Sequence, residues 1–75
     1  MSKIIFVYEG ISTEIKCSKN EKMKDICYNF RNKINLQSSV VYLSEGKILN
    51  LDLKYKDYQK NDQKMKIYVN KNEEE

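Results

Sequence analysis

The sequence predicts an α+β domain in which a mixed sheet of four to five strands packs on one amphipathic helix, in the order ββαββ and then a final strand. Three observations predict it. The chain opens with an apolar, β-branched run broken by Glu9-Gly10, continues with helical periodicity from Asn20 to Ile34, and returns to strand-like composition after Ser39.

After Lys3, the run Ile4-Ile5-Phe6-Val7-Tyr8 is β-branched and aromatic throughout. Glu9-Gly10 marks a turn, where glycine meets a positive φ at little cost. In Ile11–Cys17, the residues Thr13, Ile15 and Cys17 alternate with polar ones, giving the second strand of a hairpin. From Asn20 the period lengthens. Met23, Ile26, Cys27, Phe30 and Ile34 fall at i, i+3, i+4, i+7 and i+11, one stripe of a helix able to lie across a sheet, while Lys22, Lys24, Asp25, Asn29, Arg31 and Lys33 take the other side. Ser18 or Asn20 is the expected N-cap, and Glu21 suits the positive end of the helix dipole.

Val40-Val41-Tyr42-Leu43 is the third strand, Ser44–Lys47 a turn around the second and last glycine, and Ile48-Leu49 a short fourth strand. Leu51, Leu53, Tyr55 and Tyr58 follow no period, which predicts an ordered loop pinned by a few side chains. Met65–Val69 alternates as a fifth strand. The expected core is Ile5, Val7, Ile15, Cys17, Met23, Ile26, Phe30, Ile34, Tyr42, Leu49, Tyr58, Met65 and Ile67. The domain is expected to span residues 1–70, with 71–75 a flexible acidic tail or the start of a linker.

Composition narrows the function. At 75 residues there is room for one core, because a chain this size buries only about 60% of the surface its unfolded form exposes. Hydrophobic and charged fractions of 40% and 33% are those of a globular chain. The net charge of +3 hides a more basic body: without Glu73–Glu75, eight acids remain against fourteen bases, leaving +6. These lysines are scattered rather than clustered or interleaved with aromatics, so neither nucleic acid nor a membrane is an expected partner. The longest apolar run, Ile4 to Tyr8, is too short to cross a bilayer and no secretion signal precedes it, which points to a cytoplasmic or nuclear location.

With no histidine, neither a Ser-His nor a Cys-His pair can form, and neither glycine belongs to a phosphate-binding loop. Two cysteines cannot supply the four ligands of a structural zinc. Hence no enzymatic activity, catalytic residue, cofactor or metal is expected. Asp25, Asp52, Asp57 and Asp62 are read as solvating charges, and Cys17 and Cys27 as small buried hydrophobes.

Ile5-Phe6-Val7, the stripe Met23, Ile26 and Phe30, Gly46-Lys47 with Leu49, Asp57-Tyr58, and Met65-Lys66-Ile67 follow one another at nearly the separations found in ubiquitin and its relatives. From Lys3 to Val69 the chain resembles that ubiquitin-like, β-grasp family. The resemblance implies that the first and last strands lie in the middle of the sheet. It also implies that Tyr58 turns inward, with its hydroxyl bonded to backbone of the preceding loop.

A partner surface is implied as well. With Ile5, Val7, Ile15 and Ile67 turned in, the same alternation sends Ile4, Phe6, Tyr8, Lys66 and Tyr68 outward, joined by Val41 or Leu43 according to the register of the third strand. Lys47 stands where ubiquitin carries a chain-forming lysine. Ubiquitin-like domains bind proteins through this face, so the expected partner is a protein, such as a ubiquitin receptor or a proteasome-pathway component, bound by a monomer. Three features depart from the family: a shorter first hairpin, no prolines after the helix, and Asn72-Glu73-Glu74-Glu75 in place of paired glycines. A non-conjugated interaction module of a larger protein is therefore expected. The alternatives are a Ras-association-like domain, binding a small GTPase along the edge second strand with Lys3, Lys16 and Lys24, and a processed modifier whose glycines lie beyond Glu75.

Overall fold

Two Glu-Gly turns set the sheet. Glu9 and Gly10 have φ values of 51° and 78°, and Glu45 and Gly46 values of 53° and 78°, the doubly positive signature of a two-residue hairpin turn. In the computed structural model, which describes residues 2–58 and 64–72, these turns join β1 (Ser2–Tyr8) to β2 (Ile11–Cys17) and β3 (Val40–Ser44) to β4 (Lys47–Ile48). Helix α1 (Met23–Ile34) and a single helical turn α2 (Tyr55–Tyr58) precede β5 (Met65–Lys71). Asp62 and Glu73–Glu75 lie outside the described residues.

The strands run in the order β2-β1-β5-β3-β4, with β1 and β5 parallel and the other neighbours antiparallel. The single long helix lies on one face. This is the ubiquitin-like β-grasp that the sequence predicts, with β5 at the centre. β5 continues two residues past Val69, because Lys71 pairs with Val40 and the Asn72 N–H donates to the Ser39 carbonyl at 2.9 Å.

The first turn also decides which way β1 faces. It pairs Tyr8 with Ile11, hence Ile4 with Ile15 and Phe6 with Thr13, and residues directly opposite share a face. Ile15 and Cys17 are buried, so Ile4 and Phe6 are too, both at 0% exposure. Ile5 and Val7 instead lie half-buried on the other face, the reverse of the expected core. The run Ile4–Tyr8, apolar at every position, carries no alternation of its own from which to read the strand's orientation. On β3, Tyr42 is buried, and Val41 and Leu43 both take the opposite face, since residues two apart point the same way.

Helix α1 buries Met23, Ile26, Cys27 and Phe30, and Ile34 packs against the same core. Its start differs from expectation: neither Ser18 nor Asn20 caps it. Lys22 is the N-cap residue without a side-chain bond, and the Met23 and Lys24 N–H groups donate to the carbonyls of Leu53 (2.8 Å) and Leu51 (3.0 Å). The Tyr55 N–H in turn donates to Glu21 and the Lys56 N–H to Lys19, each at 3.0 Å. Backbone hydrogen bonds thus dock residues 50–56 along 19–24, satisfying helix-start donors that would otherwise need a cap. This docking buries Tyr55, absent from the expected core, and folds α2 where only a loop is expected. Tyr58 packs at the core margin, and its hydroxyl accepts the Asn50 N–H at 2.7 Å, as the family resemblance implies. At the other end, Asn35 adopts φ 57° and the Leu36 N–H reaches the Arg31 carbonyl at 2.8 Å, closing the helix in the Schellman manner.

Candidate functional site

Strand register builds the face of the sheet turned away from α1. Ser12 lies opposite Val7, Val7 opposite Tyr68, Tyr68 opposite Leu43, and Leu43 opposite Ile48. One residue from each strand therefore forms a continuous row, apolar or aromatic in four of its five members. Neighbouring rows hold Glu14, Ile5 and Lys66 on one side, and Val41 with Asn70 on the other. Val7 and Leu43 are half-buried, whereas Tyr68 is 47% and Ile48 74% exposed.

Charge gathers at the opposite end of this face. Glu14 Oε2 accepts from Lys64 Nζ at 3.1 Å, and Lys3 Nζ lies 3.8 Å from Oε1. The hydrogen bond from Lys64 is the main cause that holds the Glu14 carboxyl below its ordinary range. Desolvation opposes it, and the charges of Lys3, Lys64 and Lys16 add to the lowering. At the other end of β1, on the helix side of the sheet, Lys71 and Glu9 pair at 3.2 Å beside the first turn. The site is a hydrophobic strip bordered by lysines.

Of the sequence-predicted site residues, Lys66, Tyr68, Val41 and Leu43 come together on this face. Ile4 and Phe6 are corrections: both are sealed in the core, where Phe6 meets Phe30 and Tyr42. Tyr8 packs against the core, on the helix side of the sheet. Lys47 is exposed but pairs with Ser44 in register, while its neighbour Ile48 pairs with Leu43. Ile5, Val7 and Ile48 thus belong to the face and are missed from sequence. The hairpin turn was the available signal, since a two-residue loop fixes register and β2 alternates legibly.

Both cysteines are buried and free. Burial, with the Glu21 charge second, pushes the Cys17 thiol up to about 11, and burial pushes Cys27 up to about 12. Neither thiol is a nucleophile near neutral pH. The Tyr42 hydroxyl is buried with no hydrogen-bond partner among the described residues. Burial raises its pKa, and the nearby Arg31 guanidinium pulls the other way. Among the described residues, no three His, Cys, Asp or Glu side chains gather as a metal site would require, and no helix is long and apolar enough to cross a membrane.

No protein-family model matches the chain, and no curated protein shows a significant sequence match. Among solved structures, one described as "Crystal structure of ATBAG1 in complex with HSP70" is similar to it with a TM-score of 0.80 and 12% sequence identity. The likeness covers 95% of this chain and 40% of that one. At so low an identity it is a likeness of fold.

Proposed function

We propose that this domain is a non-catalytic protein–protein interaction module whose outer sheet face docks a partner through Val7, Leu43, Ile48, Lys66 and Tyr68. The observation that carries this reading is the row Val7–Tyr68–Leu43–Ile48, apolar or aromatic across four hydrogen-bonded strands and open to solvent at Tyr68 and Ile48. Contiguous apolar surface on a soluble domain marks interaction sites, and tyrosine is a favoured anchor. The backbone beneath is already fixed by the ladder, so docking orders only side chains. Lys64 and Lys66 at the border favour a partner with acidic groups around an apolar centre.

The fold neighbour is described in complex with HSP70, which supports a place for this fold within protein assemblies. Ubiquitin receptors and proteasome-pathway proteins are the partner class to test first. Titrating such proteins into the isotope-labelled domain is expected to shift the amides of Val7, Leu43, Ile48 and Tyr68, and Ile48→Ser with Tyr68→Ala to abolish the shifts. Shifts confined to α1, or none with any receptor, would overturn the reading.

A further inference from the structure

β2 is an edge strand of seven residues, whereas the opposite edge, β4, has two. The Glu9-Gly10 turn fixes which backbone groups of β2 are free. Tyr8 and Ile11 flank the turn and form a hydrogen-bonded pair, and in an antiparallel ladder such pairs recur at every second residue. Ile11, Thr13, Ile15 and Cys17 therefore direct their N–H and C=O groups at β1. Those of Ser12, Glu14 and Lys16 point away from the sheet, the usual template for a further strand.

The central acceptor of this edge is already occupied. Lys33, in the last turn of α1, donates from Nζ to the Glu14 carbonyl oxygen at 3.2 Å. An incoming strand needs that oxygen for its own N–H, and it would meet a positive charge standing over it.

The edge is also complementary to itself. When two copies of β2 pair antiparallel about a two-fold axis with Glu14 opposite Lys16 of the second copy, symmetry places Lys16 opposite the second copy's Glu14. Both cross-strand pairs are then of opposite sign, and Ile15 meets its own counterpart at the axis. A slip that sets Glu14 against Glu14 brings like charges together instead.

We propose that the β2 edge is a self-association surface for a second copy of this chain, that Lys33 holds it shut by occupying the Glu14 carbonyl, and that the opened edge pairs in the crosswise Glu14–Lys16 register. This uses a different surface from the partner face above and stands apart from it. Sedimentation equilibrium on the full chain tests it, with circular dichroism confirming that each variant is folded. Lys33→Met keeps the aliphatic stem and removes the donor, and is expected to raise the association constant about tenfold or more over the wild type. Lys33→Arg keeps a donor and is expected to behave as wild type. Adding Lys16→Glu to Lys33→Met is expected to return the chain to monomer, because Glu14 then faces glutamate. Mixing that double variant with Lys33→Met/Glu14→Lys is expected to restore pairing that neither shows alone. A Lys33→Met protein no more associated than wild type, a wild type that already pairs through this edge, or association indifferent to Lys16→Glu would each overturn the proposal.

Discussion

Phe6 lies flat on Phe30, with ring centroids 4.4 Å apart and planes 8° from parallel. Tyr42 meets the same Phe6 ring edge-on, at 6.2 Å and 83°. One side chain of β1 thereby joins the helix to β3, and such ring pairs add to the stabilisation from apolar burial alone.

Phe6→Ala is therefore expected to cost about 3–5 kcal/mol, a large share of the roughly 5–15 kcal/mol that holds a domain folded. Ile5→Ala, on the half-buried outer face, should cost distinctly less. Urea titrations of the two variants measure the difference, and an equal or inverted ranking would contradict the facing of β1.

The Glu45-Gly46 turn makes a conformational prediction free of packing effects, since a Cβ built at Gly46 finds nothing within 4 Å. Gly46→Ala is expected to lose about 1–2 kcal/mol from left-handed backbone strain alone. Glu45→Asn should gain up to about 1 kcal/mol, because asparagine tolerates a φ of 53° better than glutamate. Thermal melts resolve both, at about 4–8 °C per kcal/mol for a domain of this size.

Glu14 gives the acid limb of stability a sign. Its folded pKa lies below its unfolded value, so its contribution is present above the unfolded value, 4.5, and is lost as pH falls through the folded one. Glu14→Gln should flatten the decline measured by urea unfolding between neutral and acid pH. Added salt should shrink the difference between variant and wild type, because Glu14 and its lysine partners are exposed. A variant whose acid profile superimposes on the wild type at low salt would refute the assignment.

Cys17 and Cys27 govern the alkaline limb in the opposite sense. With folded values raised to about 11 and about 12 from 9.0, burial of the protonated thiols contributes stability below pH 9 that fades as pH climbs towards those values. In the native state at pH 8 neither thiol should react with an aromatic disulfide reagent, and both should react at once in denaturant. Rapid labelling of the folded protein would show that the burial is incorrect.

How much of this was legible in the sequence depended on contrast between faces. The stripe on α1 stands out because lysines and asparagines oppose it, and β5 alternates clearly from Met65 to Val69. Ile4–Tyr8 in β1 offers no such contrast, so its face follows from the register that Glu9-Gly10 imposes on Ile4 and Ile15. Ile48 joins the outer face only through its pairing with Leu43. Tyr55 is buried because residues 50–56 dock on 19–24 by main-chain bonds, which leave no mark in side-chain identity.

The donors that open α1 belong to Met23 and Lys24, yet their acceptors, Leu53 and Leu51, come after β3 and β4 in the chain. During synthesis the helical segment waits, its first amides facing water, until β4 and the residues beyond it emerge. A chain severed between Leu49 and Asn50 would likewise separate the helix from its start. The two halves of this small domain thus mature together, and the first half alone leaves α1 without the acceptors for its opening donors.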